Sequence, residues 1–158
     1  MPGLELTLKE GDTAPEFSAE TDGGKHITLA ELKGKYIVLY FYPRDDTPGC
    51  TKEACGFRDA WEELQNSGAV VLGVSTDSVK KHDKFVKKFS LPFPLLADEN
   101  QSIVTDYGVW GLKKFMGREF MGTHRITFLI NPEGNIEKIW PKVKPDQHAQ
   151  EVLEAIQG

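Results

Sequence analysis

The residues of this chain most able to do redox chemistry are its two cysteines, Cys50 and Cys55. Cys50 follows the dipeptide Thr47-Pro48, which signals the start of a helix, with Thr as the N-cap and Pro as the first helical residue. Cys50 is therefore expected in the first turn, where unpaired N–H groups and the helix dipole stabilise an anion. A thiolate at such a position is a nucleophile. The alternative is a buried structural cysteine, which the convergence of a strand, a proline loop and a cap on Cys50 disfavours.

Cys55 lies five positions after Cys50 in the same predicted helix. In a regular helix this offset corresponds to a rise of about 7.5 Å and a rotation of about 140°, which place the two Cα atoms roughly 8.7 Å apart. A disulfide needs Cα atoms within about 7 Å. The two cysteines therefore cannot bond in an intact helix, and a reaction between them would require the first turns to unwind. The alternative interpretation of Cys55 is a small buried residue.

The elements that must position Cys50 follow from the hydrophobic pattern. Residues 37–42 form a continuous apolar and aromatic run, which predicts a central strand covered on both faces, and Pro43 ends it. Residues 69–74 predict a second buried strand. Helical and strand patterns then alternate in the overall order β-α-β-α-β-α-β-β-α. This order predicts an α/β fold with a mixed sheet flanked by helices, in which crossovers join the early strands and a hairpin joins the last pair.

Three segments carry more specific predictions. The cluster Asp22-Gly23-Gly24 predicts the turn of a hairpin near the N-terminus. Residues 109–122, rich in Gly and Lys with three aromatic side chains, are predicted to form a mobile loop. Residues 123–130 are predicted to form one continuous strand that pairs with residues 136–140. No repeat, linker or low-complexity segment interrupts the pattern, so residues 1–158 are predicted to form a single domain.

Charged residues near the cysteines admit more than one interpretation. Arg44, Asp45 and Asp46 could tune access to the thiol, but solvated loop charges are favoured. Glu53 is assigned to a capping or arginine-binding network rather than to proton transfer. The lysines between residues 80 and 88 are interpreted as a solvated helix face rather than a nucleic-acid or partner surface.

Composition restricts the class of protein. The net charge of −5 argues against a dedicated nucleic-acid binder and against attraction to anionic membranes. No apolar run approaches the roughly 18–20 residues that span a bilayer. The first residues lack the basic and apolar regions of a secretion signal, so we expect a cytoplasmic location. In a reducing compartment, two close cysteines are typical of a catalytic or metal-binding site rather than of a disulfide scaffold.

The segment around Cys50 resembles a known active-site signature. The spacing Pro43-x-x-x-Thr47-x-x-Cys50 is similar to that of the peroxiredoxins. The longer segment FYPRDDTPGCTKEACGFRD resembles their bacterioferritin-comigratory-protein (peroxiredoxin Q) branch. The likeness spans nearly the whole chain, from GDTAPEF near the start to THRITFLINPEG in the second half. This pattern is far more specific than a lone Cys-x-x-Cys.

The resemblance implies a thioredoxin-like fold and the reduction of hydrogen peroxide and organic hydroperoxides. By position, Cys50 matches the peroxidatic cysteine, and Cys55 matches the resolving cysteine of one subset of the branch. Thr47 matches the hydroxyl residue that contacts thiolate and peroxide, and Pro43 matches the residue that shapes and shields the pocket. Arg125 matches the arginine that a distant strand brings to the sulfur. Without the resemblance, Arg125 would be interpreted as a surface arginine on a strand.

The implied catalytic cycle requires no cofactor and no metal. The Cys50 thiolate would attack a peroxide and become a sulfenic acid, and Cys55 would then condense with it to form a disulfide. An external dithiol protein of the thioredoxin type would reduce that disulfide. The expected partners are therefore peroxides and this reductant, with no nucleic acid and no membrane. Because the branch is often monomeric, a monomer is expected.

Three other functions fit parts of the sequence less well. A thiol–disulfide oxidoreductase normally uses Cys-x-x-Cys, and the five-residue offset disfavours it. A metal site could join the cysteines to His82 or His124, but the four histidines are scattered and none shows zinc-ligand spacing. A holdase-like protein could expose the aromatic residues of segment 109–122, which are better explained as a cover for the active site or a contact with the reductant.

Overall fold

A computed structural model describes residues 6–158 of the chain, so residues 1–5 of the predicted single domain lie outside the described part. The strands are β1 (Ser18–Thr21), β2 (His26–Thr28), β3 (Tyr36–Phe41), β4 (Ala69–Ser75), β5 (Leu95–Ala97), β6 (Trp110–Phe115), β7 (Arg118–Thr123), β8 (Ile126–Ile130) and β9 (Ile136–Trp140). The α-helices are α1 (Pro48–Asp59), α2 (Trp61–Asn66), α3 (Val79–Phe89), α4 (Ser102–Asp106) and α5 (His148–Gln157). Within residues 6–158, no helix is both long and apolar enough to cross a membrane.

Seven of the strands form one mixed sheet in the order β2-β1-β5-β4-β3-β8-β9. Strands β3, β4 and β5 are parallel to one another, whereas β8 is antiparallel to β3 and β9 is antiparallel to β8. The antiparallel hairpin of β1 and β2 extends the sheet beyond β5. The predicted α/β fold, with a central mixed sheet and an N-terminal hairpin, is confirmed.

Strand β3 is buried on both of its faces. Leu39 and Phe41 pack into a core on the side of α4. Val38 and Tyr40 point the other way, into a core that α1, α3 and α5 complete. Because consecutive side chains of a strand point to opposite faces, a strand between two cores must be apolar throughout. This explains the continuous hydrophobic run in the sequence.

The carboxyl end of β3 meets the amino end of β8. Phe41 at the end of β3 pairs with Ile126 at the start of β8. We call residues 43–47, which leave β3 and lead into α1, the active-site loop. The pairing therefore brings Arg125, which immediately precedes β8, to the same edge of the sheet as this loop.

Two predictions about residues 109–130 are wrong. Residues 109–122 do not form a mobile loop, because strands β6 and β7 pair along six residues each as a separate antiparallel hairpin. Its turn is made by Met116 and Gly117, which both have positive φ values of 52° and 79°. Two such residues match the type I′ turn that suits the twist of a hairpin. Residues 123–130 are not one strand either, because β7 ends at Thr123 and β8 begins at Ile126.

The helix after the active-site loop is also divided. Apolar residues at helical spacing, from Phe57 to Leu64, predict one helix that stops at Asn66. In the structure α1 ends at Asp59 and α2 begins at Trp61. Between them Ala60 has φ −94° and ψ 5°, which departs from helical geometry. Both cysteines lie in α1, before this break.

Candidate active site

Cys50 lies in the first turn of α1, and only 1% of it is exposed. Thr47 is the N-cap residue, and its carbonyl accepts the N–H of Thr51 at 2.8 Å. The Thr47 side chain makes no cap bond, because its hydroxyl donates to the carbonyl of Arg44 at 3.0 Å. The prediction of Thr47 as the N-cap residue is confirmed, but its hydroxyl does not make the side-chain bond expected of a cap. The N–H groups of the first turn therefore have no bond to the Thr47 hydroxyl, and they can stabilise an anion at Cys50.

Arg125 bridges Cys50 and a carboxylate. Its Nη2 donates to the Cys50 sulfur at 3.2 Å, and its Nη1 donates to Oε1 of Glu53 at 2.8 Å. Burial opposes the charge of the guanidinium, but the negative charges of Cys50 and Glu53 outweigh burial and raise the pKa of Arg125. The arginine therefore remains a cation beside the sulfur, and a neighbouring cation favours thiolate over thiol.

Glu53 lies one turn after Cys50 on the inner face of α1, with its side chain fully buried. Burial raises the pKa of Glu53 to about 7, although the charge and hydrogen bond of Arg125 act in the opposite direction. Its Oε2 has no hydrogen-bond partner among residues 6–158. Of the two roles weighed from the sequence, arginine binding is the one that this contact matches. Glu53 binds Nη1 of the guanidinium, which leaves Nη2 to the sulfur.

Cys55 is partly exposed and, like Cys50, is a free cysteine. Both belong to one uninterrupted helix, Pro48–Asp59. With regular helical geometry their Cα atoms are roughly 8.7 Å apart, which exceeds the reach of a disulfide. In this conformation the two thiols cannot bond to each other.

A cavity of about 890 Å³ opens beside the active-site loop. Pro43 and Thr47 line it on one side, and Trp110, Lys113 and Phe120 of the β6–β7 hairpin line it on another. The segment predicted as a mobile aromatic loop is thus an ordered wall of this cavity. Cys50 is buried and does not line the cavity itself, but Thr47, three residues before it, does.

The sequence interpretation missed a buried polar cluster at the active-site loop. The side chain of Asp45 is 6% exposed and that of His82 is 0% exposed, with His82 Nδ1 2.6 Å from Asp45 Oδ2. Asp45 is therefore not a solvated loop charge. One signal in the sequence could have placed His82 inside: it precedes Val86 by four residues and Phe89 by seven, which puts it on the inner face of α3.

Among residues 6–158, one group of side chains has the spacing of a metal site, and it contains neither cysteine. It consists of Asp45, Asp77 and His82. Its ligand atoms are already engaged in hydrogen bonds with one another and with Ser75 and Tyr42. The alternative in which Cys50 and Cys55 join a histidine around a metal has no support in this geometry.

The sequence of the chain matches a known protein family, and its structure resembles solved structures. The model of the AhpC/TSA family matches residues 10–139 of the chain. The putative peroxiredoxin bcp of Coxiella burnetii is 51% identical over 148 residues, which are 94% of this chain and 98% of that protein.

Two solved structures are similar along almost their whole length. A cysteine-to-serine mutant of PrxQ from Xylella fastidiosa has a TM-score of 0.90 and 35% identity, with 95% of this chain and 96% of that chain covered. The bacterioferritin comigratory protein of Xanthomonas campestris has a TM-score of 0.86 and 38% identity, with 97% and 98% covered. The latter was solved as trapped intermediate and ligand complexes that concern its alkyl peroxide reduction activity. These similarities confirm the predicted thioredoxin-like fold.

Proposed function

We infer the function of this protein from one premise, which is that the chain belongs to the AhpC/TSA family. Its relatives identify the branch as the peroxiredoxins named Bcp or PrxQ. The protein is a thiol-dependent peroxidase, and its substrates are peroxides. The family and the enzyme class predicted from the sequence are confirmed.

We propose that Cys50 is the peroxidatic nucleophile. The observation that carries this proposal is the 3.2 Å contact between Arg125 Nη2 and the Cys50 sulfur, in the first turn of a helix. The thiolate attacks one peroxide oxygen, so that an S–O bond forms as the O–O bond breaks. The second oxygen leaves with the bonding electron pair, takes a proton, and departs as water or an alcohol. Cys50 is oxidised to a sulfenic acid and the peroxide is reduced.

We assign the other predicted site residues to this step by their positions. Arg125 can stabilise the thiolate, and its N–H groups can also bind the leaving oxygen as negative charge develops on it. Thr47 uses its hydroxyl hydrogen within the loop, so its oxygen can accept a hydrogen bond from a peroxide O–H. Pro43 lines the same cavity and offers no N–H to compete for substrate.

We propose that Cys55 is the resolving cysteine. Its thiolate attacks the sulfenic sulfur, the S–S bond forms, and the sulfenic oxygen leaves as water after taking a proton. Because the helix holds the two Cα atoms roughly 8.7 Å apart, α1 must unwind from its N-terminus before this reaction. A dithiol protein of the thioredoxin type then reduces the disulfide by way of a mixed disulfide, which returns both cysteines to thiols.

The remaining expectations from the sequence stay proposals. A monomer, a single domain over residues 1–158 and a cytoplasmic location are each consistent with the fold. The single sheet with a core on each face supports the single domain. Sedimentation of the pure protein and fractionation of cells would test the monomer and the location.

Substitution of each cysteine tests the proposed cycle. Cys50→Ser should lose peroxide consumption altogether. Cys55→Ser should consume one equivalent of peroxide in a single turnover and then stall in the presence of thioredoxin. Full turnover by Cys50→Ser would disprove the assignment of the nucleophile, and full turnover by Cys55→Ser with thioredoxin would disprove the assignment of the resolving cysteine.

A further inference from the structure

Asp45 ties the active-site loop to the rest of the fold at three points. The Tyr42 hydroxyl donates to Asp45 Oδ1 at 2.6 Å, and the Asp45 backbone N–H donates to Asp77 Oδ2 at 2.8 Å. The third contact joins Asp45 Oδ2 and His82 Nδ1 at 2.6 Å. The partners come from the end of β3, the turn after β4 and helix α3. One residue therefore fixes the loop against three parts of the molecule.

The 2.6 Å contact between His82 and Asp45 is short enough for the two groups to share one proton. The second ring nitrogen of His82, Nε2, lies 2.9 Å from the carbonyl oxygen of Leu96, which can only accept. A neutral imidazole has a single N–H, so both contacts are satisfied at once when the pair carries one additional proton. Burial opposes this charge, but the hydrogen bond and charge of Asp45 outweigh burial and raise the pKa of His82 above its ordinary value.

Among the contacts of residues 6–158, the loop beyond Asp45 has no comparable anchor of its own. Asp46 has a positive φ of 56°, a conformation that costs a residue other than glycine about 1 kcal/mol or more. Its ion pair with Lys88 at 2.8 Å is exposed on both sides and contributes little. Thr47, the next residue, is both the N-cap of α1 and a lining residue of the cavity. Its position therefore depends on the buried contact of Asp45.

We propose that His82 and Asp45 are positioning residues of the peroxidase reaction, whose buried contact holds the active-site loop so that Pro43 and Thr47 shape the approach of peroxide to Cys50. The inference rests on the proposed role of Cys50. It assigns a function to two residues that make no hydrogen bond to the sulfur. Asp45 occupies an unspecified position of the spacing Pro43-x-x-x-Thr47-x-x-Cys50, and His82 lies outside that segment. Loss of the contact should slow peroxide attack without changing the thiolate itself, which Arg125 and α1 stabilise.

The first test is His82→Gln, because glutamine keeps an amide donor but cannot carry the proton. The rate constant for oxidation of Cys50 by hydrogen peroxide, measured by stopped-flow tryptophan fluorescence, should fall roughly 10- to 100-fold. The pH profile of Cys50 ionisation, measured by the ultraviolet absorbance of the thiolate, should match that of the wild type. The control is His26→Gln, which changes an exposed histidine on β2 and should alter neither quantity.

The second test is Asp45→Asn, which keeps the shape of the contact without its charge. The asparagine amide can donate to Nδ1 of a neutral His82, while its oxygen still accepts from Tyr42. The other titratable group whose charge acts on His82 is Asp77, from the turn after β4, and Asp77 in turn lies 3.9 Å from the exposed Lys81. In the wild type the oxidation rate should fall as the pH rises through the raised pKa of His82, because the shared proton is lost. Asp45→Asn should lack this decline. The proposal can therefore be tested even if His82→Gln fails to fold.

Two results would overturn the proposal. One is an oxidation rate of folded His82→Gln that equals the wild-type rate, or that falls together with Cys50 ionisation, since the latter would indicate a general distortion of the site. The other is an alkaline decline in Asp45→Asn identical to that of the wild type. Either result leaves the proposed function intact as long as the wild-type Cys50 is oxidised rapidly by peroxide. A wild-type protein without that reaction would refute the proposed function instead.

Discussion

Gly49 and Arg125 lie so close together that a Cβ atom at position 49 would stand 3.1 Å from Nη2 of the arginine. That nitrogen is the one that donates to the Cys50 sulfur. Gly49 lies within α1, so the space beside it, and not an unusual backbone angle, favours glycine. A side chain at position 49 would therefore crowd the guanidinium that reaches the sulfur.

We expect Gly49→Ala to slow the oxidation of Cys50 while the protein remains at least as stable as the wild type. The added methyl group requires Arg125 to shift by a few tenths of an ångström, and a loss of about 3- to 30-fold in the oxidation rate is expected from such a displacement. Alanine at the same time favours the helix over glycine by about 1 kcal/mol. Stopped-flow oxidation and denaturant unfolding of the same preparation measure the two effects.

The matched control for this substitution is Gly56→Ala in the same helix. A Cβ there would meet Ala149 at 3.6 Å, which is an ordinary van der Waals contact, and it lies away from the guanidinium. Gly56→Ala should therefore show the gain in stability without the loss in rate. Equal oxidation rates in both variants would contradict the importance of the space beside Arg125.

We expect Lys52→Gly to accelerate disulfide formation. Lys52 is exposed and lies between the two cysteines, so the substitution removes no buried contact but weakens the helix by about 1 kcal/mol. If α1 must unwind before Cys55 reaches the sulfenic acid, the disulfide step should accelerate up to about fivefold. The earlier oxidation step should be unchanged. Rapid-quench alkylation of the remaining thiols after a peroxide pulse measures the disulfide step.

Lys52→Ala is the control, because it removes the same charge and keeps a strong helix former. It should leave the disulfide step near the wild-type rate. A disulfide step with equal rates in Lys52→Gly and Lys52→Ala would show that helix unwinding at this point does not limit the reaction.

We expect Glu53→Gln to flatten the dependence of stability on pH. The pKa of Glu53 rises from about 4.5 in a free side chain to about 7 in the folded protein. The folded state therefore keeps a proton that the unfolded state releases over this range. The stabilisation is complete below about pH 4.5 and is lost as the pH rises through about 7, a change on the order of 3 kcal/mol.

Denaturant unfolding at a series of pH values measures this difference. The free energy of unfolding of the wild type should decline relative to that of Glu53→Gln between those two pH values. Glu62→Gln, which alters an exposed carboxylate in the first turn of α2, should follow the wild-type curve. Parallel curves for the wild type and Glu53→Gln would mean that burial does not perturb this carboxyl.

The parts of the site that the sequence could predict are those with local causes. Thr47 and Pro48 place Cys50 in the first turn of a helix through capping and backbone restraint alone. The distance between the cysteines follows from helical geometry. Arg125, in contrast, lies 75 residues from Cys50, and only the family resemblance identified it, because its approach depends on the pairing of β3 with β8.

The errors arose where tertiary contacts or turn chemistry overrode local patterns. Asp45 has the local character of a solvated loop charge, and its burial depends on His82 from a helix that begins 34 residues later. The β6–β7 hairpin was missed because lysines and glycines interrupt the alternation that indicates strands, and Met116 is an unusual residue for a positive φ. The break at Ala60 has no signal in the sequence that we can identify.

The pairing of β3 with β8 also determines the stage of folding at which Cys50 gains the contact that stabilises its thiolate. A growing chain contains both cysteines long before it contains Arg125, and a helix N-terminus alone gives the sulfur only part of its stabilisation. Contacts between residues this distant form late, because a long loop must close before they contribute. In a nascent or partly folded chain Cys50 would thus lack its contact with Arg125. Rapid reaction with peroxide would begin only once β3 and β8 have paired.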